Sequence, residues 1–119
     1  MKTGAELISE ERQRQIEVEG WTPKHDDEHS KNELSLAAIV YAYPSPRPIE
    51  IKSLWPWDWS WWKPTIPELT EHSNGREQAG DHIPITVSDE AWRTAHIRDL
   101  TKSGALIAAE IDRIQRKEK

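Results

Sequence analysis

No cysteine occurs among the 119 residues. Its absence excludes a disulfide framework, a thiolate metal site and a cysteine nucleophile, and it agrees with a reducing compartment. Phenylalanine is absent too, so the large aromatic positions of any core fall to tryptophan and tyrosine. No apolar run approaches the roughly 20 residues needed to cross a bilayer, which argues against a membrane partner. The opening stretch Met1-Lys2-Thr3-Gly4-Ala5-Glu6 turns acidic at once and is unlike a secretory signal, so the expected location is cytoplasmic. Positive charge is in deficit: 16 Lys and Arg against 21 Asp and Glu leave a net charge of −5. A nucleic-acid polymer is therefore not the expected partner, because its binders carry a basic face. A small anionic ligand stays compatible, since a few basic groups in one pocket can dominate locally. The chain also lacks a phosphate loop, a dinucleotide fingerprint, a serine nucleophile elbow and a deaminase zinc signature.

What remains is a polar but globular composition, 35% hydrophobic and 31% charged, in a chain that fits one domain over 1–119 with a modest core. The expected class is mainly α: a three-helix core, a Trp/Pro-rich ordered loop and a short irregular or β-like insertion. The first helix is expected over about 4–19, opened by the Thr3-x-x-Glu6 capping box and stopped by Gly20. Its inward stripe is thin, because Arg12 stands between Ile8 and Ile16. A cation there is either snorkelling or held by a ligand or carboxylate. A polar loop over 20–29 precedes a second capping box at Ser30-x-x-Glu33 and a buried helix over about 31–43, ended by Pro44, Pro46 and Pro48.

Residues 49–64 read as an ordered loop with a helical turn, and 65–87 as the insertion. The last helix spans about 89–116. Ile97, Leu100, Gly104, Ile107, Ile111 and Ile114, at steps of three and four, form its cleanest apolar stripe. Small Gly104 and Ala108 suit close approach by another helix, and the basic end from Arg113 is expected to fray.

Three features could carry chemistry. His25, Asp26, Asp27, Glu28 and His29 supply several metal-type ligands in five residues, but the His-x-x-x-His pair precedes the helix that would align it, and no His-Glu-x-x-His is present. The plain alternative is a helix-leading loop whose carboxylates pair with Arg12 or Arg14, so no metal is assigned. Seven Trp are present, five of them at 55, 57, 59, 61 and 62. Their rings cannot all face one way, so some seal the core while others line a groove where a planar base or a cation stacks. Finally, Arg12, Arg14, Lys63, Arg98 and Lys102 each lie beside a core element, where they clamp phosphates or pair with neighbouring acids.

Glu11-Arg12-x-Arg14-Gln15, Glu19-Gly20-Trp21-Thr22-Pro23-x-His25-Asp26-Asp27-x-His29, Trp55-Pro56-Trp57, Trp61-Trp62-Lys63-Pro64 and the run from Arg98-Asp99-Leu100 to Glu110-Ile111 together resemble a family of small bacteriophage and prophage proteins. The likeness covers most of the chain outside 65–95. The Gly20-Trp21 turn, the charged loop with Asp26 and Asp27 and the following apolar helix are also faintly similar to the ryanodine-receptor repeat domain. That likeness implies a nucleotide pocket between the first helix, the 20–29 loop and the Trp segment.

The expected function is a non-enzymatic protein, needing no cofactor, that sequesters a nucleotide-derived signal, of cyclic-nucleotide or ADP-ribose type, for a phage countering host defence. In that reading Trp21 with Trp61 or Trp62 stacks on a base. Arg12, Arg14, Lys63 and Arg98 hold phosphates, and His25, Asp26 and Asp27 bond ribose or order the basic groups. The alternatives are a metal-dependent nucleotide hydrolase built on residues 25–29 and a protein–protein inhibitor using the Trp segment. A homo-oligomer formed through the small-residue face of the last helix suits all three.

Overall fold

Thr3 opens the first helix as its capping box requires: its hydroxyl accepts from the Glu6 amide at 3.2 Å, and Glu6 accepts from the Thr3 amide at 3.1 Å. The computed structural model describes residues 1–44, 47–61 and 89–117. Within these, α1 spans Gly4–Glu17, α2 Pro23–Asp27, α3 Glu33–Ala42, α4 Ile49–Lys52 and α5 Asp89–Lys117, with a 3-10 turn at Trp59–Trp61. The protein is mainly α-helical, and no strand occurs among the described residues. The expected insertion at 65–87, with Trp62 and Lys63, lies outside them. None of the described helices is long and apolar enough to cross a membrane.

Gly20, at φ +74°, turns the chain after α1, and the Trp21 amide donates back to the Gln15 carbonyl at 2.9 Å. This left-handed geometry is the one glycine adopts freely. The 20–29 stretch is not all loop: Thr22 caps a turn of helix by accepting from the His25 amide, with Pro23 at its first position. The second capping box does not form. Asn32 takes the N-cap position in the left-handed region, and the Glu33 carboxylate turns instead to the Lys31 amide and to His29. As a result α3 starts two residues later than its spacing predicts.

The core is the contact of α3 with α5. Leu34, Ala37, Ala38, Val40 and Tyr41 meet Leu106 and Ala109, with Trp55 closing one side. Small side chains at 37, 38, 105 and 109, all fully buried or nearly so, let the two backbones approach closely. The Ser103 hydroxyl donates to the Ala38 carbonyl at 2.8 Å across this contact. Nearer the end of α3, the buried Arg47 donates to the Val40 and Tyr41 carbonyls and pairs with Asp99 at 3.4 Å. Helix ends leave such carbonyls without internal partners, and the arginine reaches back to satisfy them.

Two expectations for the last helix are corrected. Its buried face is Ala95, Asp99, Ser103, Ala105, Leu106, Ala109, Glu110 and Arg113. The isoleucine stripe faces outward, with Ile97, Leu100, Ile107, Ile111 and Ile114 at 42–53% exposure. The polar inward residues are each matched to a partner in α3, in the 47–48 segment or in α5 itself, and this matching outweighs apolarity. The basic end does not fray either. Arg113 is buried on Glu110, and Arg116 donates to Asp27 at 2.7 Å and to the Pro23 carbonyl at 3.1 Å.

Gly104 meets α1 so closely that an added Cβ would lie 2.5 Å from Ile8 Cδ1 and 2.7 Å from Cγ1. Overpacking of this kind costs typically about 1–3 kcal/mol, more than the roughly 1 kcal/mol that alanine gains over glycine in a helix. Gly104→Ala should therefore lower stability in urea unfolding, and adding Ile8→Ala should recover part of the loss. An increase in stability with Gly104→Ala alone would contradict the packing.

Candidate functional site

The same Gly20 turn that ends α1 swings Trp21 over the Trp segment. Trp21 lies 6.0 Å from Trp57 and stacks on His25 at 6.2 Å with the planes 9° apart. His29 is edge-on to both His25 and Trp57, at 4.9 and 5.5 Å, and Trp57 is perpendicular to Trp55 at 5.3 Å. Trp55 in turn rests edge-on against Tyr41 of the core. These rings wall a cavity of about 500 Å³ that α1 and α5 close from below, within the roughly 300–1,000 Å³ of small-molecule sites. Trp61 stands at the cavity as well, and Leu106 lines it from α5.

The polar groups come from α1 and α5. Glu11, Arg14, Gln15 and Glu19 line one side, with Lys102 from α5 and Asp58 from the Trp segment. Arg14 grips Glu11 through two bonds of 2.7 Å and reaches Glu19 at 3.4 Å. Burial by itself pushes the Glu11 carboxyl up, but the bonds from Arg14 and Gln15, with the charges of Arg14 and Lys102, hold it below its usual value. Burial lowers the Lys102 pKa, and the charges of Asp99 and Glu11 only partly offset this. Lys102 Nζ also stands 5.6 Å above the Tyr41 ring. Three buried polar atoms of cavity-lining residues, Gln15 Oε1, His25 Nδ1 and Trp57 Nε1, find no hydrogen-bond partner among the described residues. Such atoms are costly to leave unpaired.

No protein family, curated protein or solved structure matches this chain.

Of the residues the sequence singles out, Arg14, Trp21, His25 and Trp61 meet at the cavity. Arg12 does not. It lies behind the wall, where Nη2 donates to the buried Asp26 at 3.0 Å and Nη1 to the Trp21 carbonyl at 3.4 Å. The carboxylate option for a cation on the inner stripe of α1 is thus the one realised. Asp26 is buried beneath the ring stack, where it orders Arg12, and the exposed Asp27 pairs with Arg116. Arg98 is exposed on α5 and does not line the cavity, although Lys102 one turn on does. Trp62 and Lys63 lie outside the described residues. Among the described residues no group of three or more His, Asp or Glu side chains is placed to share a metal ion. Asp26 and Asp27 point to two different arginines, so the 25–29 cluster does not converge.

Sequence reasoning passed over Gln15, Tyr41 and Trp57 as site residues. The one local sign of Gln15 was its position on the face of α1 that also carries Glu11. Trp57 was one of five indistinguishable tryptophans.

Burial raises the Asp26 carboxyl pKa, against the pull of the Arg12 charge and its bond. Removing one partner of a buried pair strands the other charge at a cost of about 3–5 kcal/mol. Arg12→Ala should therefore destabilise the protein by roughly that amount at neutral pH. The deficit should shrink as pH falls through the raised Asp26 pKa, where protonation removes the stranded charge. Denaturant unfolding at pH 7 and near pH 4 measures both. A variant as stable as the wild type at pH 7 would contradict the pairing.

Proposed function

We propose that this protein is a non-enzymatic binder of a small nucleobase-bearing ligand, held in the cavity between α1, α2 and the Trp segment. The observation that carries this reading is a cavity of about 500 Å³ with planar rings on several sides, those of Trp21, His25, His29, Trp55, Trp57 and Trp61, and polar groups from Gln15, Arg14 and Lys102 beside them. A base offers π-faces for stacking and an edge with both donors and acceptors, and such a wall suits it.

The charges narrow the ligand further. Three carboxylates and two cations line the cavity, and Arg14 is already engaged by Glu11 and Glu19. Lys102, short of compensation in its buried position, is the cation that gains most from an incoming anion. This favours a nucleotide with one phosphate at the cavity, as in a mononucleotide or cyclic nucleotide, over an extended polyphosphate. In the phage setting implied by the family resemblance, such a protein sequesters a nucleotide-derived messenger of host defence.

Thermal unfolding followed by Trp fluorescence, against nucleosides, mononucleotides, cyclic nucleotides and ADP-ribose derivatives, tests the reading. A ligand at a hundredfold excess over Kd stabilises the native state by about 2.7 kcal/mol, enough to shift the midpoint. Lys102→Gln should weaken a nucleotide about tenfold, the size of one modest charge-assisted bond, and leave the parent nucleoside unchanged. Trp57→Leu should weaken both. A ligand recovered cleaved in the presence of Mg²⁺ would make the protein an enzyme, and no shift with any compound would end the proposal.

A further inference from the structure

The carboxylates of Asp26 and Asp27 go to separate arginines, but the two histidines that flank them come together. α2 supplies the alignment that spacing alone denies to this pair. The Glu28 amide donates to the His25 carbonyl at 3.1 Å and the His29 amide to the Asp26 carbonyl at 3.0 Å. The helical turn thus runs on past Asp27 and sets His29 one turn beyond His25, where residues four apart share a face. The two ring centroids are 4.9 Å apart. Two imidazoles on one tetrahedral ion, with metal–nitrogen bonds of about 2.0–2.1 Å, stand at roughly 5 Å.

Each imidazole is also backed at Nδ1 by a carboxylate. His29 Nδ1 lies 3.3 Å from Glu33 Oε2, and His25 Nδ1 lies 3.8 Å from Asp26 Oδ1. The two atoms of the second approach are both buried and have no hydrogen-bond partner among the described residues. A proton on His25 Nδ1, drawn toward Asp26, satisfies both. A metal-bound histidine donates its second nitrogen in this way, which fixes the ring and makes the coordinating nitrogen more basic. With Nδ1 so committed, Nε2 is the nitrogen left to each ring. At His25 the Nδ1 atom is buried while 37% of the side chain is exposed, so the exposure belongs to the rest of the ring.

We infer that His25 and His29 together bind one divalent transition-metal ion of the zinc or nickel kind, through their Nε2 atoms, at the wall of the cavity. Imidazole suits such ions, whereas magnesium and calcium take oxygen ligands. Among the described residues no third His, Asp or Glu converges on the pair. The ion therefore keeps open coordination positions, unlike the closed shell of a structural zinc. Both histidines line the cavity, so a molecule held there is placed to fill those positions. That last step rests on the ligand reading above: an atom of the nucleotide completes the coordination. The ion site itself does not depend on it.

Metal alone, added to the full chain, tests the site. Ni²⁺ and Zn²⁺ should each raise the midpoint of thermal unfolding followed by circular dichroism, and Mg²⁺ should not. His25→Gln and His29→Gln should each abolish the shift. His96→Gln, at a histidine of α5 that does not line the cavity, should keep it. Electron paramagnetic resonance of the unmodified chain with Cu²⁺ should show two coordinating imidazole nitrogens, which decides the matter if a glutamine variant fails to fold. No shift with either ion, a shift kept in a folded His25→Gln or His29→Gln chain, or a single coordinating nitrogen would each overturn the inference. A metal shift without any nucleotide response would uphold the ion site and end the nucleotide reading. Nucleotide binding without a metal shift would do the reverse.

Discussion

The arginine that reaches from beyond the prolines back into the end of α3 is the contact on which the arrangement turns. Arg47 satisfies the Val40 and Tyr41 carbonyls and is neutralised by Asp99, with both side chains fully buried. A buried ion pair is weak as a source of stability but demanding in geometry, because either charge left alone is costly. Here it sets where α5 lies against α3, and the bond from Ser103 to the Ala38 carbonyl secures the same register. Once Asp99 and Ser103 face inward, Lys102 and Leu106 fall at the cavity and the isoleucine row is left outside. Sliding α5 by one residue would orphan the pair and turn the row elsewhere.

A second buried pair does for the cavity wall what the first does for the core. Arg12 and Asp26 tie α1 to the short α2, while Arg116 ties α2 to the end of α5 through Asp27. A five-residue helix has no stability of its own, so its place comes from these ties and from the ring contacts above it. The result is a wall of rings whose backing is ionic. Arg12, Asp26 and Asp27, which look like ligand-binding groups in the sequence, make that backing, while Arg14, Trp21, His25 and Trp61 reach the cavity.

How much of this was legible follows from the range of each interaction. The Thr3 capping box, the Gly20 stop and the proline end of α3 are all local, and the sequence carried them. The missed capping box at Ser30 shows the limit, since Asn32 adopts a left-handed conformation that spacing does not encode. The α5 stripe is the larger lesson. Its period correctly announced a helix, but period says only that apolar residues share a face. The inward side is chosen by partners far away in sequence, such as Ala38 for Ser103 and Arg47 for Asp99.

By itself, then, the sequence determined a cysteine-free, mainly helical chain with a tryptophan-rich segment and a basic residue on the inner face of α1, because caps, turns and periodicity act within a few residues. Only the tertiary structure decided that Arg12 serves Asp26 while Arg14 reaches the cavity, and that Lys102 turns inward while Arg98 stays in solvent. It alone decided that the strongest apolar stripe faces out. The physical reason is that charge and burial are settled pairwise across distances the chain spans only after folding. A buried Asp99 or Asp26 must find its arginine before any isoleucine can claim the same face.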